Sequence, residues 1–217
     1  QVTGEMSLSG GLFLDTETTG LMGGTGTFPF LIGLGWFEAG GFVTRQLFAR
    51  DFSEEAAMLR HVSELASERQ FLVTFNGKAY DLNLLSARFI LNRCRDTLTA
   101  MPHIDLLHPC RRIFAHRLEN ARLSTIEAQI LGVRREGDVP GFEIPQRYFD
   151  WLRRRDGRLL GEAVRRAPSA GNAPGRSNGE RAGARAGARS IIAFRRVPTN
   201  GTMPTRPLTG LARMAAP

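Results

Sequence analysis

Two acidic residues with one residue between them give this sequence its first candidate for chemistry. The stretch GLFLDTETTGL at residues 11–21 carries Asp15 and Glu17 directly after the apolar residues 12–14. Side chains repeat on one face of a β-strand every second residue, so both carboxylates point the same way, about 7 Å apart. Like charges at this distance repel unless a cation lies between them, and Mg²⁺ or Mn²⁺ prefers carboxylate oxygens. The spacing predicts a divalent metal site; the alternative is a strand end that enters a polar turn.

Asp81 is the second candidate ligand. It follows a short apolar segment at residues 71–75 and the turn sequence Asn76-Gly77-Lys78. Loops that follow strands are common places for functional residues, because the strands hold them rigidly. The alternative for Asp81 is an ordinary helix N-cap, a position at which Asp is favoured.

The elements that must position these residues follow from the apolar pattern. Three strands with short connections are expected first, at about residues 9–15, 28–37 and 42–49, which predicts an antiparallel meander. A helix with an N-cap at Asp51, a fourth strand at 71–75 and a helix from about Asp81 follow. Further segments are a strand or helix start at 104–107, a helix opened by Ser124 and Glu127, and a helix with Pro145 in its first turn. This order predicts a mixed α/β layered fold.

Composition narrows the class of protein. The 217 residues are enough for one main domain with a core. We expect no membrane span and no signal peptide, since no apolar run approaches about 18 residues and no cleavable leader pattern is visible. Cys94 and Cys110 lack metal-type spacing, so we expect reduced thiols in a cytoplasmic protein. No motif for a small-molecule cofactor is evident.

The net charge of +8 is concentrated at one end of the chain. Residues 157–217 carry eleven Arg against Glu162 and Glu180, whereas the rest of the chain has a net charge of −1. Gly, Ala, Arg, Pro and Ser dominate there, as in RAGARAGARS. Such a sequence has too few large apolar residues to offset the conformational entropy that the chain loses on folding. We therefore expect a domain at residues 1–160 and a basic, disordered tail at 161–217. The 28 Arg against the single Lys78 indicate GC-rich coding DNA, so out-of-frame sequence in the tail is a hypothesis.

Taken together, the motifs resemble those of a known group of enzymes. FLDTETTGL followed by LVTFNGKAYDLNLL resembles the ribonuclease H-like exonucleases of the DEDD superfamily, and the chain is most similar to the YprB-like ribonuclease H-like domain family. GTGTFPFLIGLGWFE, HIDLLHPCRRIF and LGVRREGDVPGFEIPQRYFDWL also resemble that family, so the similarity covers about residues 8–156. It implies a central mixed sheet flanked by helices. It also implies metal-dependent 3′→5′ hydrolysis of nucleic-acid phosphodiester bonds, with a single-stranded end as partner.

The resemblance also implies roles for individual residues. Asp15 and Glu17 match the first motif and Asp81 the second. In a two-metal mechanism Asp15 would bridge two Mg²⁺ or Mn²⁺ ions, Glu17 would hold the ion on the nucleophile side and Asp81 the other.

Four residues are candidates for contact with substrate: Thr16, Thr18, Asn76 and Lys78. Lys78 either contacts a phosphate or is a solvated turn lysine. Asn76 either orients its loop or touches the nucleic-acid backbone.

The sequence departs from the family after residue 160. The family carries a last motif, H-N-x-x-D, on a helix, but residues 164–169 read VRRAPS, and neither Asp nor His occurs after Asp156. Pro168 and Gly171 would break the helix. Asp105 is expected to cap or pack, and surface or core roles are expected for the remaining acids and histidines of this region: His103, His108, His116, Asp138 and Asp150.

Three hypotheses remain open from the sequence. The first is a metal-dependent nuclease impaired by the missing motif. The second is a catalytically inactive module that still binds nucleic acid. The third is a damaged gene product with no independent role.

Overall fold

The sheet is the scaffold of the molecule, and it is mixed. The structure, a computed structural model, describes residues 7–20, 26–39, 41–133 and 141–155, and the backbone of residues 191–197. The strands are β1 (Gly11–Thr18), β2 (Pro29–Glu38), β3 (Gly41–Phe48), β4 (Phe71–Thr74), β5 (His103–Asp105) and β6 (Ile191–Val197). Their order across the sheet is β5-β4-β1-β2-β3-β6.

The predicted meander is present. β1 pairs antiparallel with β2, and β2 pairs antiparallel with β3, whereas β4 and β5 run parallel to β1. The predicted mixed α/β class is thereby confirmed. The first strand begins and ends later than predicted, because Leu8–Gly10 forms a short 3-10 helix and the ladder to β2 continues to Thr18. Asp15 and Glu17 therefore lie within the paired strand.

Five α-helices are described around this sheet: α1 (Glu55–Ser67), α2 (Asp81–Leu91), α3 (Leu107–Phe114), α4 (Leu123–Gln129) and α5 (Ile144–Arg154). Asp51 accepts a hydrogen bond from the N–H of Ser53 and caps the turn that leads into α1, as the sequence predicts. The sequence predicts either a strand or the start of a helix at residues 104–107. The structure has both, since β5 ends at Asp105 and α3 begins two residues later.

Helices α1 and α2 cover the same face of the sheet. Leu14, Leu34 and Arg45 are register partners across β1, β2 and β3, so their side chains share one face. Arg45 lies 2.8 Å from Nε2 of His61 on α1. Thr16, two residues from Leu14 and hence on that face, donates a hydrogen bond to Asp81 on α2.

The core lies between this face and the helices. Leu12, Leu59, Leu72, Leu85 and Phe89 are fully buried in one cluster with the other strand and helix residues. Burial of this apolar surface is the main stabilising term of such a fold.

Helix α5 is attached to the core by aromatic packing. Tyr148 is fully buried, and its ring stacks on Phe30 at 4.2 Å between centroids. Phe48 and Trp151 meet edge to face beside it, and the indole N–H of Trp151 donates to the carbonyl oxygen of Arg50. The aromatic cluster fixes α5 against the start of β2 and the end of β3.

Strand β6 adds to the far edge of the sheet. Residues 191–197 pair antiparallel with seven residues of β3, from Phe42↔Val197 to Phe48↔Ile191. These seven residues fall within the segment 161–217 for which the sequence predicts a disordered tail, so for them that expectation is corrected. Their three β-branched residues and one Phe suit a strand. Residues 156–190 and 198–217 lie outside the described residues, so the predicted domain boundary at 160 stays a prediction.

In the part of the chain that the structure describes, no helix is both long enough and apolar enough to cross a bilayer.

Candidate active site

The two carboxylates of β1 lie on the face of the sheet that α1 and α2 leave uncovered. Asp15 pairs in register with Gly33, and Glu17 with Leu31. Since alternate residues of a strand point to opposite faces, both carboxylates point away from the face of Leu14 and Thr16. Both are half-buried. The shared face predicted from the D-x-E spacing thus follows from the observed register.

Asp81 approaches β1 from its open edge. β4 pairs only with residues 11–13 of β1, so from Leu14 onward that edge has no neighbouring strand in the described structure. Asp81 occupies this place at the first turn of α2, where its Oδ1 accepts a hydrogen bond from the hydroxyl of Thr16. The open edge therefore brings the acids of the first and second motifs to the same end of β1.

Burial makes ionisation of Asp81 costly. Only 7% of the residue is exposed. Desolvation raises the pKa of its carboxyl above the ordinary value, and the neighbouring Asp105 raises it further. The hydroxyl and backbone N–H of Thr16 act in the opposite direction, because they stabilise the carboxylate. A nearby cation would favour the ionised form in the same sense.

Asp105 is a structural carboxylate, as the sequence analysis expected. Its Oδ1 accepts from the N–H of Asn76 at 2.7 Å and of Leu107 at 3.0 Å, and its Oδ2 accepts from the N–H of Lys78 at 3.0 Å. Burial opposes its ionisation, but these three backbone donors outweigh burial and hold its pKa below the ordinary value. Asp105 thereby joins the end of β5, the start of α3 and the loop between β4 and α2.

The loop between β4 and α2 is a tight turn whose backbone conformation and packing restrict which residue types fit. Asn76 has a positive φ of 67°, and the N–H of Gly77 donates to the hydroxyl of Thr74 at 3.2 Å. A Cβ on residue 77 would come within 2.6 Å of the Thr74 side chain, which explains the glycine. The side chains of Asn76 and Lys78 are exposed at the top of this turn. Both are accessible to a substrate, and their roles stay predictions.

The sequence predicts Thr18 as a substrate contact. In the structure its side chain supports the site through a hydrogen bond inside the protein. It is buried and donates a hydrogen bond to the carbonyl oxygen of Gly20 at 2.7 Å. The same carbonyl accepts from the hydroxyl of Tyr80 at 2.6 Å, so α2 is tied to the loop that follows β1. Sequence reasoning missed Tyr80. The available signal was a phenol directly before the candidate ligand Asp81.

The histidines and the later acids do not join the site in the described structure. His103 contacts the Thr74 hydroxyl at 2.8 Å, and burial lowers its pKa. His108 and His116 are exposed on and after α3. Asp150 lies on the surface of α5, 3.8 Å from Arg153, and Asp138 falls outside the described residues.

The donor set fits a hard divalent cation by its chemistry. Asp15 and Glu17 offer two carboxylates on one face, and Asp81 offers a third at the adjacent edge, where a positive charge would offset the cost of burial. Within residues 7–20, 26–39, 41–133 and 141–155, however, no three such side chains are already grouped tightly enough to hold an ion. The carboxyl of Asp81 is engaged with Thr16, so metal binding would compete with that hydrogen bond.

Known proteins include matches to this chain at the level of a family and of an individual protein. A family model described as the RNase H superfamily matches residues 12–165. This range includes all the candidate site residues and leaves out most of the basic segment at residues 157–217. The uncharacterized protein YprB of Bacillus subtilis (strain 168) is 38% identical over 152 residues. That alignment covers 68% of this chain and 36% of YprB, so the chain spans little more than a third of the length of this relative.

Proposed function

Since the chain belongs to the RNase H superfamily and carries a YprB-like domain of it, we propose that it is a metal-dependent nuclease. The reaction is hydrolysis of nucleic-acid phosphodiester bonds, in the 3′→5′ direction from a single-stranded end. One observation supports the proposal: Asp81 of the second motif is hydrogen-bonded to Thr16, the residue between Asp15 and Glu17 of the first motif on β1. The cytoplasmic location expected from the sequence is part of the proposal.

Asp15, Glu17 and Asp81 would hold the Mg²⁺ or Mn²⁺ ions. When bound, such ions lower the pKa of an attacking water and stabilise the leaving oxygen. Thr16 supports this role, since its hydroxyl favours the ionised form of Asp81, the form that a cation requires.

The loop between β4 and α2 would contact the substrate. Asp105 fixes its backbone through two N–H groups, so the backbone that carries the exposed Asn76 and Lys78 is held in place. The ammonium of Lys78 is suited to neutralise a substrate phosphate, and the amide of Asn76 to donate to a phosphate or sugar oxygen.

A nuclease assay with end-labelled strands tests the proposal. Single-stranded DNA and RNA, labelled at either end, are incubated with the full chain in Mg²⁺ or Mn²⁺, and with EDTA as the control. We expect metal-dependent shortening from the 3′ end, and a loss of at least about 100-fold for Asp15→Asn, because this variant neutralises one of the carboxylates that would hold the ions. Glu64→Gln, at an exposed glutamate of α1, is the matched control and keeps full activity.

Metal binding is measured separately from cleavage. A bound ion at one hundred times its Kd stabilises the fold by about 2.7 kcal/mol. For a domain of this size we therefore expect Mn²⁺ to raise the Tm of the wild type by roughly 5–11 °C. Asp15→Asn should remove this rise. Cleavage that persists in EDTA, or in Asp15→Asn, would refute the assignment of the metal ligands.

The second candidate function is nucleic-acid binding without catalysis. The observation that favours it is that residues 164–169 read VRRAPS at the place where the H-N-x-x-D motif is expected. This module would bind labelled strands without shortening them in either metal. The same assay therefore separates the two functions.

A further inference from the structure

A cluster of arginines lies on and after α3, and the site described above does not use it. Arg111 and Arg112 lie in the last turn of α3, and Arg117 and Arg122 follow it. All four are exposed. We refer to them as the α3 basic surface.

Within the described residues, no ion pair neutralises the α3 basic surface. Between residues 107 and 122 the only acid is Glu119, against four arginines. Where the structure describes their neighbours, none of the four takes part in an ion pair, and Glu119 instead accepts a hydrogen bond from the Asn120 amide. Other arginines of the fold are differently placed: Arg50 pairs with Glu54, and Arg88 with Glu55. An exposed surface with four arginines and one acid complements a polyanion.

The fold attaches α3 to the candidate active site. Leu107, the first residue of α3, donates its N–H to the same Asp105 oxygen that accepts from Asn76. Leu106 donates to the carbonyl oxygen of Thr74 at 2.9 Å, directly before the loop that carries Lys78. Arg111 lies four residues further, about 6 Å along the helix axis. One carboxylate, that of Asp105, therefore joins the start of the helix that carries Arg111 and Arg112 to the loop that carries Lys78.

We propose that the α3 basic surface binds the phosphate backbone of the nucleic-acid substrate and leads it to the candidate active site. The inference rests on the proposed function and adds the surface on which the strand lies. Its chemistry is charge neutralisation by guanidinium groups, which is independent of base sequence. Leu107 is the only buried residue of α3, so most of the helix surface is available to the strand.

Binding and its dependence on salt provide the test. A fluorescent 20-nucleotide single strand is titrated with the full chain in EDTA, and its anisotropy gives Kd at several KCl concentrations between about 50 and 300 mM. Each phosphate neutralised on a single strand contributes about 0.7 to the slope of log Kd against log salt concentration. For Arg111→Gln/Arg112→Gln we expect the slope to fall by about 1.4 and Kd at 0.1 M salt to rise about 25-fold.

Two control variants test whether the effect belongs to the α3 basic surface. Arg60→Gln/Arg95→Gln removes the same charge from two exposed arginines, one on α1 and one in the segment that leads to the amino end of β5, and should leave the slope unchanged. Arg111→Lys/Arg112→Lys keeps the charge and should restore the slope. The arginines beyond residue 156 are the same in every variant, so their contribution cancels in each comparison.

The outcomes are distinguishable. If the wild type binds and cleaves but Arg111→Gln/Arg112→Gln keeps the wild-type slope, the α3 basic surface is not the strand-binding surface and the nuclease proposal stands. A Gln variant that loses affinity equally at all salt concentrations, with a lowered Tm, also contradicts the inference, since it indicates structural damage. No binding and no cleavage by a folded wild type would overturn both proposals.

Cleavage kinetics give an independent readout. With the reacting groups untouched, the Gln variant should raise KM and leave kcat within about twofold, because the arginines act before the chemical step. A reduced kcat with unchanged KM would contradict a role in binding.

Discussion

Replacement of Asp105 by Asn tests whether one buried carboxylate holds the site together. Asp105 is 8% exposed and accepts three backbone hydrogen bonds through both oxygens. Asn can keep the two bonds that Oδ1 accepts from Asn76 and Leu107, but its amide nitrogen would face the N–H of Lys78, donor against donor. The substitution is nearly isosteric, so its effect comes from hydrogen bonding and charge.

The magnitude follows from these contacts. A buried N–H left without an acceptor costs about 1–3 kcal/mol, and the two retained bonds lose the extra strength that a charged acceptor gives. We expect Asp105→Asn to destabilise the protein by about 2–4 kcal/mol, which for a domain of this size lowers Tm by roughly 4–16 °C. Because the loop of Asn76 and Lys78 loosens, KM for a single strand should rise as well.

Asp96→Asn is the matched control. Asp96 also accepts two backbone hydrogen bonds, from Leu98 at 2.9 Å and Thr99 at 3.2 Å, but both reach the single oxygen Oδ1. Asn can keep both, so this variant should lose less than about 1 kcal/mol. Chemical denaturation of both variants gives the comparison. Equal losses of unfolding free energy in Asp105→Asn and Asp96→Asn would refute the argument from the three donors.

The effect of Asp105→Asn should depend on pH in a defined direction. The folded-state pKa of Asp105 is lowered below its unfolded value, so its carboxylate contributes stability that is fully present above the unfolded value of about 3.9. That contribution is lost as the pH falls through the lower, folded-state pKa. The stability difference between wild type and Asp105→Asn should therefore be constant near neutral pH and shrink below about pH 4.

Two further substitutions test the packing that supports the site. Arg88→Met should cost about 3–5 kcal/mol in urea denaturation, because it leaves the buried Glu55 carboxylate without its guanidinium partner, whereas Glu55→Met/Arg88→Met should recover much of that loss. Recovery absent from the double variant would contradict this reasoning. Gly77→Ala should cost about 1–3 kcal/mol, since its Cβ would meet Thr74 at 2.6 Å, whereas Gly26→Ala, with nothing within 4 Å, should be neutral by thermal melting.

The sequence was most informative where the pattern is local. The three apolar segments and the short connections between them predicted the meander, and β1, β2 and β3 pair as expected. The D-x-E spacing placed Asp15 and Glu17 on one face, because a strand has a side-chain period of two whatever its neighbours are. The family followed from motifs in order along the chain, and the match over residues 12–165 confirms it.

Contacts between distant residues were beyond sequence reasoning. The hydrogen bond between Thr16 and Asp81 joins residues 65 apart, and it arises because β4 pairs with only three residues of β1 and leaves the edge open. The local sequence pattern does not indicate at which residue the pairing of β1 with β4 ends. Strand β6 was missed for a similar reason. Residues 191–197 pair with the edge of β3, but they lie beside low-complexity sequence, so the local pattern did not predict a strand there.

The sequence by itself determined the class of fold, the acids of the first two motifs and the face that Asp15 and Glu17 share. Only the tertiary structure decided that Asp105 fastens the loop of Lys78 and the start of α3, and that Asp81 lies at the open edge of β1. The physical reason is that side-chain period and capping preference act over a few residues. The partner of a buried carboxylate, in contrast, is whichever backbone donor the packing of separate elements brings within hydrogen-bonding distance.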